Sequence, residues 1–148
     1  ASDAALLGAL RHHLEAAILP GDPPMDAGDL DDAAALLFAA ARTRAPGQSL
    51  VQIESETGKR RRLRIAIVNE DMPFLVDSIA ATVAAQGLLI DRLVHPVVTV
   101  ERDGEGTIVA LGTAAPETAR ESLIYLETPR LDARERRELG DALRLTLE

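Results

Sequence analysis

The sequence has no cysteine and no tryptophan. Without a thiol, disulfides, thiolate nucleophiles and cysteine metal sites are excluded. Aromatic residues are scarce: Phe38, Phe74 and Tyr125 are the whole set. The core must therefore be built from Leu, Ile, Val and Ala, and an apolar content of 47% supplies enough of them. Lysine is nearly missing as well. Lys59 stands alone against fifteen arginines, a bias that points to a GC-rich bacterial genome. Excess positive charge is absent: the formal net charge is −8. That excludes a general nucleic-acid or anionic-membrane binder, because phosphate binding needs a positive field. No apolar run approaches the ~18 residues of a membrane span. No basic segment leads into an apolar core at the amino end, so no signal peptide is expected. A cytoplasmic protein of one core is the expectation for these 148 residues. The chain begins without methionine and ends inside a helical pattern, as a piece of a longer protein would.

Patterns that carry chemistry are equally sparse. No GxGxxG occurs, so no dinucleotide turn is encoded, and Asp103-Gly104-Glu105-Gly106 is short enough to be a hairpin turn. Neither Ser78 nor Ser122 lies in a GxSxG motif. His12 and His13 are adjacent, so on a helix their rings point apart, whereas a metal site wants a spacing of three or four. No catalytic, cofactor-binding or metal-ligating residue is assigned. The one basic cluster, Lys59-Arg60-Arg61-Arg62-Leu63-Arg64, sits beside Glu54 and Glu56 and predicts cross-strand ion pairs on a solvated face. No aromatic residue is interleaved with it to stack on bases.

The periodicity gives an order of elements. Leu6, Leu7, Leu10, Leu14 and Ile18 share one face of a helix over 3–19. A turn-rich linker over 20–29 leads to a second helix over 30–44, with Asp29 as its cap. From Ser49 the period becomes two, predicting a hairpin of strands around 50–54 and 63–67, turned at Glu56-Thr57-Gly58-Lys59. A helix over 73–86 follows, stopped by Gly87. Next come a strand over 88–101 broken by Pro96, a strand over 107–111, a loop through Pro116, and a strand over 121–127. A helix capped by Asp132 closes the chain. This order predicts an α+β fold: a ferredoxin-like antiparallel sheet with helices on one face, preceded by an N-terminal helical hairpin. Residues 1–47 form the helical segment and 48–148 the sheet domain. Pro96 has no N–H for a ladder, so it is expected at an edge or a bulge.

The most informative stretch is Asn69-Glu70-Asp71-Met72-Pro73-Phe74, where a strand turns abruptly into a helix. One reading is capping, with Asp71 accepting from the first-turn amides and Pro73 inside that turn. The other is a ligand turn, because a helix amino end offers free N–H groups to a carboxylate. His95, beside Pro96, is a secondary candidate for the same site.

Residues 65–98 (IAIVNEDMPFLVDSIAATVAAQGLLIDRLVHPVV), followed by Glu121-Ser122-Leu123-Ile124-Tyr125-Leu126-Glu127, resemble the N-terminal part of the large bacterial NAD-specific glutamate dehydrogenases. The specific elements are the Met-Pro-Phe-Leu-Val-Asp-Ser run and the His-Pro strand. The resemblance implies an ACT-like βαββαβ domain, here cut before its last strand. It implies a regulatory or assembly role in an enzyme that uses NAD to convert L-glutamate to 2-oxoglutarate. It places hydride transfer, and the NAD site, outside this chain. An amino-acid effector at Asn69, Asp71, Met72, Pro73 and Phe74 is the alternative, and a purely structural interaction domain is a third. The expected partners are the remainder of the polypeptide and a second copy, through the sheet edge or the helices. The ACT turn commonly reads Asp-x-Pro-Gly. Here Phe74 replaces the glycine, and its ring is expected to be buried, shielding the amides and weakening amino-acid binding.

Overall fold

The computed structural model describes residues 2–57, 61–112 and 120–148. The Gly58-Lys59 turn, Arg60 and the Pro116 loop lie outside the described residues. In chain order the elements are α1 (Asp3–Ala16), α2 (Ala27–Ala41), β1 (Leu50–Thr57), β2 (Arg61–Glu70), α3 (Leu75–Ala85), β3 (Arg92–Val94), β4 (Val97–Arg102), β5 (Ile108–Leu111), β6 (Arg120–Pro129) and α4 (Ala133–Thr146). The strands form one antiparallel sheet in the order β1-β2-β6-β4-β5, with β3 also on β6. The predicted α+β, ferredoxin-like arrangement is what the chain adopts. The last strand of a βαββαβ module would pair along the outer edge of its first; here β1 pairs along that edge of β2, from Leu50↔Val68 to Thr57↔Arg61.

Period-two alternation divides the sheet between two cores. Leu63, Ile65 and Ile67 of β2 and Ile124 and Leu126 of β6 face α3 and α4, packing with Ile79, Val83, Leu139 and Leu143. The alternate residues, Ala66, Val68, Leu123 and Tyr125, face the α1–α2 hairpin and pack with Leu10, Leu14, Leu30 and Leu37. Helices therefore cover both faces: α3 and α4 the ferredoxin-like side, the hairpin the other. Each fully buried leucine here stabilises by about 1.5–3 kcal/mol relative to exposure. The same alternation puts Arg62 and Arg64 on the hairpin side. They do pair across the strand, Arg62 with Glu56 and Arg64 with Glu54, the latter at 2.5 Å. Their face is not solvated, however: both side chains are largely buried beneath α2. Burial alone would lower the Arg62 pKa, but the hydrogen bond to Glu56 and the charge of Glu127 outweigh it and leave it raised.

Helix ends follow local chemistry. Asp132 accepts from the Glu135 amide at 2.8 Å while Glu135 accepts from the Asp132 amide, a capping box. Gly87, with φ +77°, closes α3: its N–H donates to Ala84 O and that of Leu88 to Val83 O, the Schellman pattern. Asp29 is not the α2 cap. Asp26 is, accepting from the Asp29 amide at 2.8 Å, so the helix starts three residues earlier than expected. Pro96 interrupts a strand whose register is the same on both sides, Val94↔Tyr125 and Val97↔Ser122. Its carbonyl accepts from Leu123 N, but it has no N–H to return.

Candidate functional site

The β2–α3 turn takes its position from the sheet. Asn69 and Glu70 pair with Ser122 and Glu121 of β6, which fixes the strand end from which the turn departs. Asn69 is buried and its polar atoms are partnered. Its Oδ1 lies 2.5 Å from Ser49 Oγ, and its Nδ2 donates to Glu70 O and toward Met72 Sδ. It braces the turn against the segment entering β1.

Asp71 does not cap α3. Its amide donates to Arg120 O, its Oδ1 accepts from Ser122 Oγ at 3.2 Å, and its Oδ2 lies 4.0 Å from Arg120 Nη2. The carboxylate is spent on β6, because the chain needs Met72 and Pro73 to reverse before the helix begins. Pro73 therefore precedes the helix, and α3 starts at Leu75. The N-cap is Phe74, which has no side-chain oxygen to offer, so no side-chain cap bond forms.

Phe74 adopts φ +63° and ψ +12°, and among the described residues no other non-glycine has positive φ. The glycine of the ACT turn is replaced, yet the glycine-type conformation is kept. That conformation costs a side-chain-bearing residue about 1–2 kcal/mol. Burial of the ring does not offset it: Phe74 is 77% exposed and the neighbouring Met72 51% exposed. The expectation of a buried ring is thus reversed. Phe74→Gly should consequently stabilise the isolated domain by roughly 0.5–1 kcal/mol, the relief of strain less the added chain entropy of glycine. Urea unfolding measures this; a loss above ~2 kcal/mol would mean the ring packs in the domain.

A cavity of about 260 Å³ lies beside the turn, lined by Ser49, Asn69, Met72, Pro73, Leu75 and Leu147 among others. His95 falls between β3 and β4, half-buried, with Nε2 enclosed and without a hydrogen-bond partner. Burial lowers its pKa, and the Asp71 carboxylate opposes that shift. The residues singled out from sequence are therefore near one another, but Asn69 and Asp71 are occupied by structural partners. Sequence reading missed a second, larger cavity on the far side of Glu70, of about 430 Å³, with Arg44, Arg102 and Arg120 in its wall. These arginines come from three separate segments, so no motif announces them.

The β2–α3 turn carries Asp71 and no glycine, and the β6–α4 turn, Arg130-Leu131-Asp132, has none either. Among the described residues no helix is long and apolar enough to cross a membrane.

Comparison with known proteins agrees with this architecture. No solved structure matches the chain. Over 70 residues it is 41% identical to the NAD-specific glutamate dehydrogenase of Halomonas elongata, an alignment that covers 45% of this chain and 4% of that protein. The sequence profile described as "Glutamate dehydrogenase, ACT1 domain" matches residues 22–143. With its β-α-β-β-α sheet, its Asp-Met-Pro turn and that match over most of its length, the chain belongs to the glutamate dehydrogenase ACT1 domain family.

Proposed function

We propose that this domain is an assembly and regulatory module of an NAD-dependent glutamate dehydrogenase, and that its Met72-Pro73-Phe74 turn docks on the remainder of the same polypeptide. In the full-length enzyme L-glutamate is oxidised to 2-oxoglutarate, with NAD held by a part of the protein outside this chain. The observation that carries the reading is Phe74: an exposed ring on a strained backbone in a chain with only three aromatic residues. Strain without compensation inside a domain is compensated by what the domain meets. Aromatic side chains are preferred anchors of interfaces. The small share of the relative that this chain matches leaves ample polypeptide to supply the docking surface.

The second reading, an amino-acid sensor, has one observation in its favour. The amino end of α3 lacks a side-chain cap, and the 260 Å³ cavity adjoins it. Against it stand Asp77 in the first turn and the bulk of Phe74 at the glycine position. Titration of the domain with a panel of free amino acids, followed by calorimetry and by the amide signals of residues 75–77, separates the two. The assembly reading expects no saturable shift of those amides. A stoichiometric signal at micromolar ligand, mapped to those amides, would establish the sensor instead.

A further inference from the structure

We propose that the cavity on the far side of Glu70 is a binding site for a small oxyanion, a carboxylate or phosphate group, with Arg44 as its floor and Glu70 as a built-in competitor. This does not rest on the docking reading, since it concerns different residues and a different face of the turn.

Arg44 follows α2 and is 5% exposed. Its Nε donates to Gln48 O at 2.6 Å. Its remaining donors are poorly served. Nη1 is 3.4 Å from Glu121 Oε2, Nη2 is 3.6 Å from Glu70 Oε1, and Nη2 has no hydrogen-bond partner. Charge-assisted pairs normally close to about 2.7–2.9 Å. Glu121 cannot come closer, because Arg102 already holds both its oxygens, at 2.8 and 2.9 Å. A buried guanidinium is thus short of an acceptor, and that is costly in a protein interior.

The wall carries three arginines, Arg44, Arg102 and Arg120, against Glu70, Asp103 and Glu121. Arg102 neutralises Glu121, and Asp103 accepts from the amides of Glu105 and Thr107. Glu70 remains, with its side chain 59% exposed and at loose range from Arg44. An exposed carboxylate at 3.6 Å is readily displaced by one that can approach both Arg44 and the rim residue Arg120. The floor is rigid. Gly106 abuts the Arg44 backbone, where an added Cβ would stand 2.2 Å from Arg44 O, and Gly106 O accepts from both Arg44 N and Arg102 Nη1. A cavity of about 430 Å³ is within the range that holds small ligands.

The test is titration of the chain with sodium succinate and, separately, sodium phosphate, at constant ionic strength up to about 10 mM. Heat and the amide signals of Gln48, Gly104 and Gly106 are followed. Saturable binding of at least one anion is expected. Succinate alone would assign a carboxylate ligand, phosphate alone a phosphorylated one. Glu70→Gln, which removes the competitor, should tighten binding about fivefold, and Arg120→Ala should weaken it by a similar factor, the scale of an exposed charge pair. Both variants alter exposed side chains, so folding is retained and checked by melting. No saturable signal from either anion, or affinity unchanged in both variants, would overturn the proposal.

Discussion

Glu127→Ala should destabilise the domain by about 3–5 kcal/mol, the cost of breaking a buried ion pair from one side. Glu127 lies on β6 beneath the α1–α2 hairpin and is 6% exposed. Its Oε2 accepts from Tyr125 Oη at 2.7 Å and pairs with Arg62 Nη1 at 2.9 Å, while Oε1 is 3.5 Å from Arg92 Nε. Burial, then the hydrogen bond to Glu127 and the charge of that carboxylate, hold the Tyr125 pKa far above its ordinary value. Alanine leaves the phenol without its acceptor, Arg92 without its carboxylate and Arg62 with only its outer partners. At this chain length the loss corresponds to a fall in Tm of roughly 10–15 °C. Glu138→Ala is the control. Glu138 pairs with Arg134 one turn away on α4, at 3.8 Å, and both side chains are exposed, so its removal should cost within about 1 kcal/mol. Equal effects of the two substitutions would mean that the network under the hairpin is solvated.

The second large effect is expected at Gly106. Its φ is +84°, and a Cβ there would meet Arg44 O at 2.2 Å and Arg44 C at 2.9 Å. These are backbone atoms, held in place by Arg44 N donating to Gly106 O and Ile108 N donating to Arg42 O. Gly106→Ala adds left-handed strain of about 1–2 kcal/mol to an overpacking cost of about 1–3 kcal/mol, so a total near ~3 kcal/mol is expected. Gly104, two residues away in the same turn, has nothing within 4 Å of an added Cβ. Gly104→Ala should stay within about 0.5 kcal/mol of the parent. Denaturant unfolding of the pair reads the difference. Similar stabilities would show that the hairpin turn is not clamped to the end of α2.

The features legible in the sequence are those decided within a few residues. Asp132 with Glu135 three positions on is a capping box in the sequence and in the fold. Gly87 stops α3 because the chain there needs positive φ. Asp29 was misplaced for an equally local reason: Asp26, Asp29, Asp31 and Asp32 crowd one helix start, and which of them caps is settled by the entry of the linker. Period two correctly sorted β2 into two faces, but it does not say what covers a face. Hence Arg62 and Arg64 pair as expected yet lie under α2. Asp71 was beyond local reasoning altogether. Its carboxylate is claimed by Ser122, a contact across 51 positions of chain, and the cap falls to Phe74 by default. The arginine-lined cavity is the extreme case, since segments far apart in sequence meet there.

Amide hydrogen exchange of residues 70–79, compared between the isolated domain and the full-length protein, tests the docking of this turn most directly. In the isolated domain the Met72-Pro73-Phe74 turn stands in solvent and the first amides of α3 have no side-chain cap. Fast exchange is therefore expected there. Docking on the remainder of the polypeptide predicts markedly slower exchange of the same segment in the full-length protein, and restoration of fast exchange by Phe74→Ser. Identical exchange of residues 70–79 in both proteins would contradict the account.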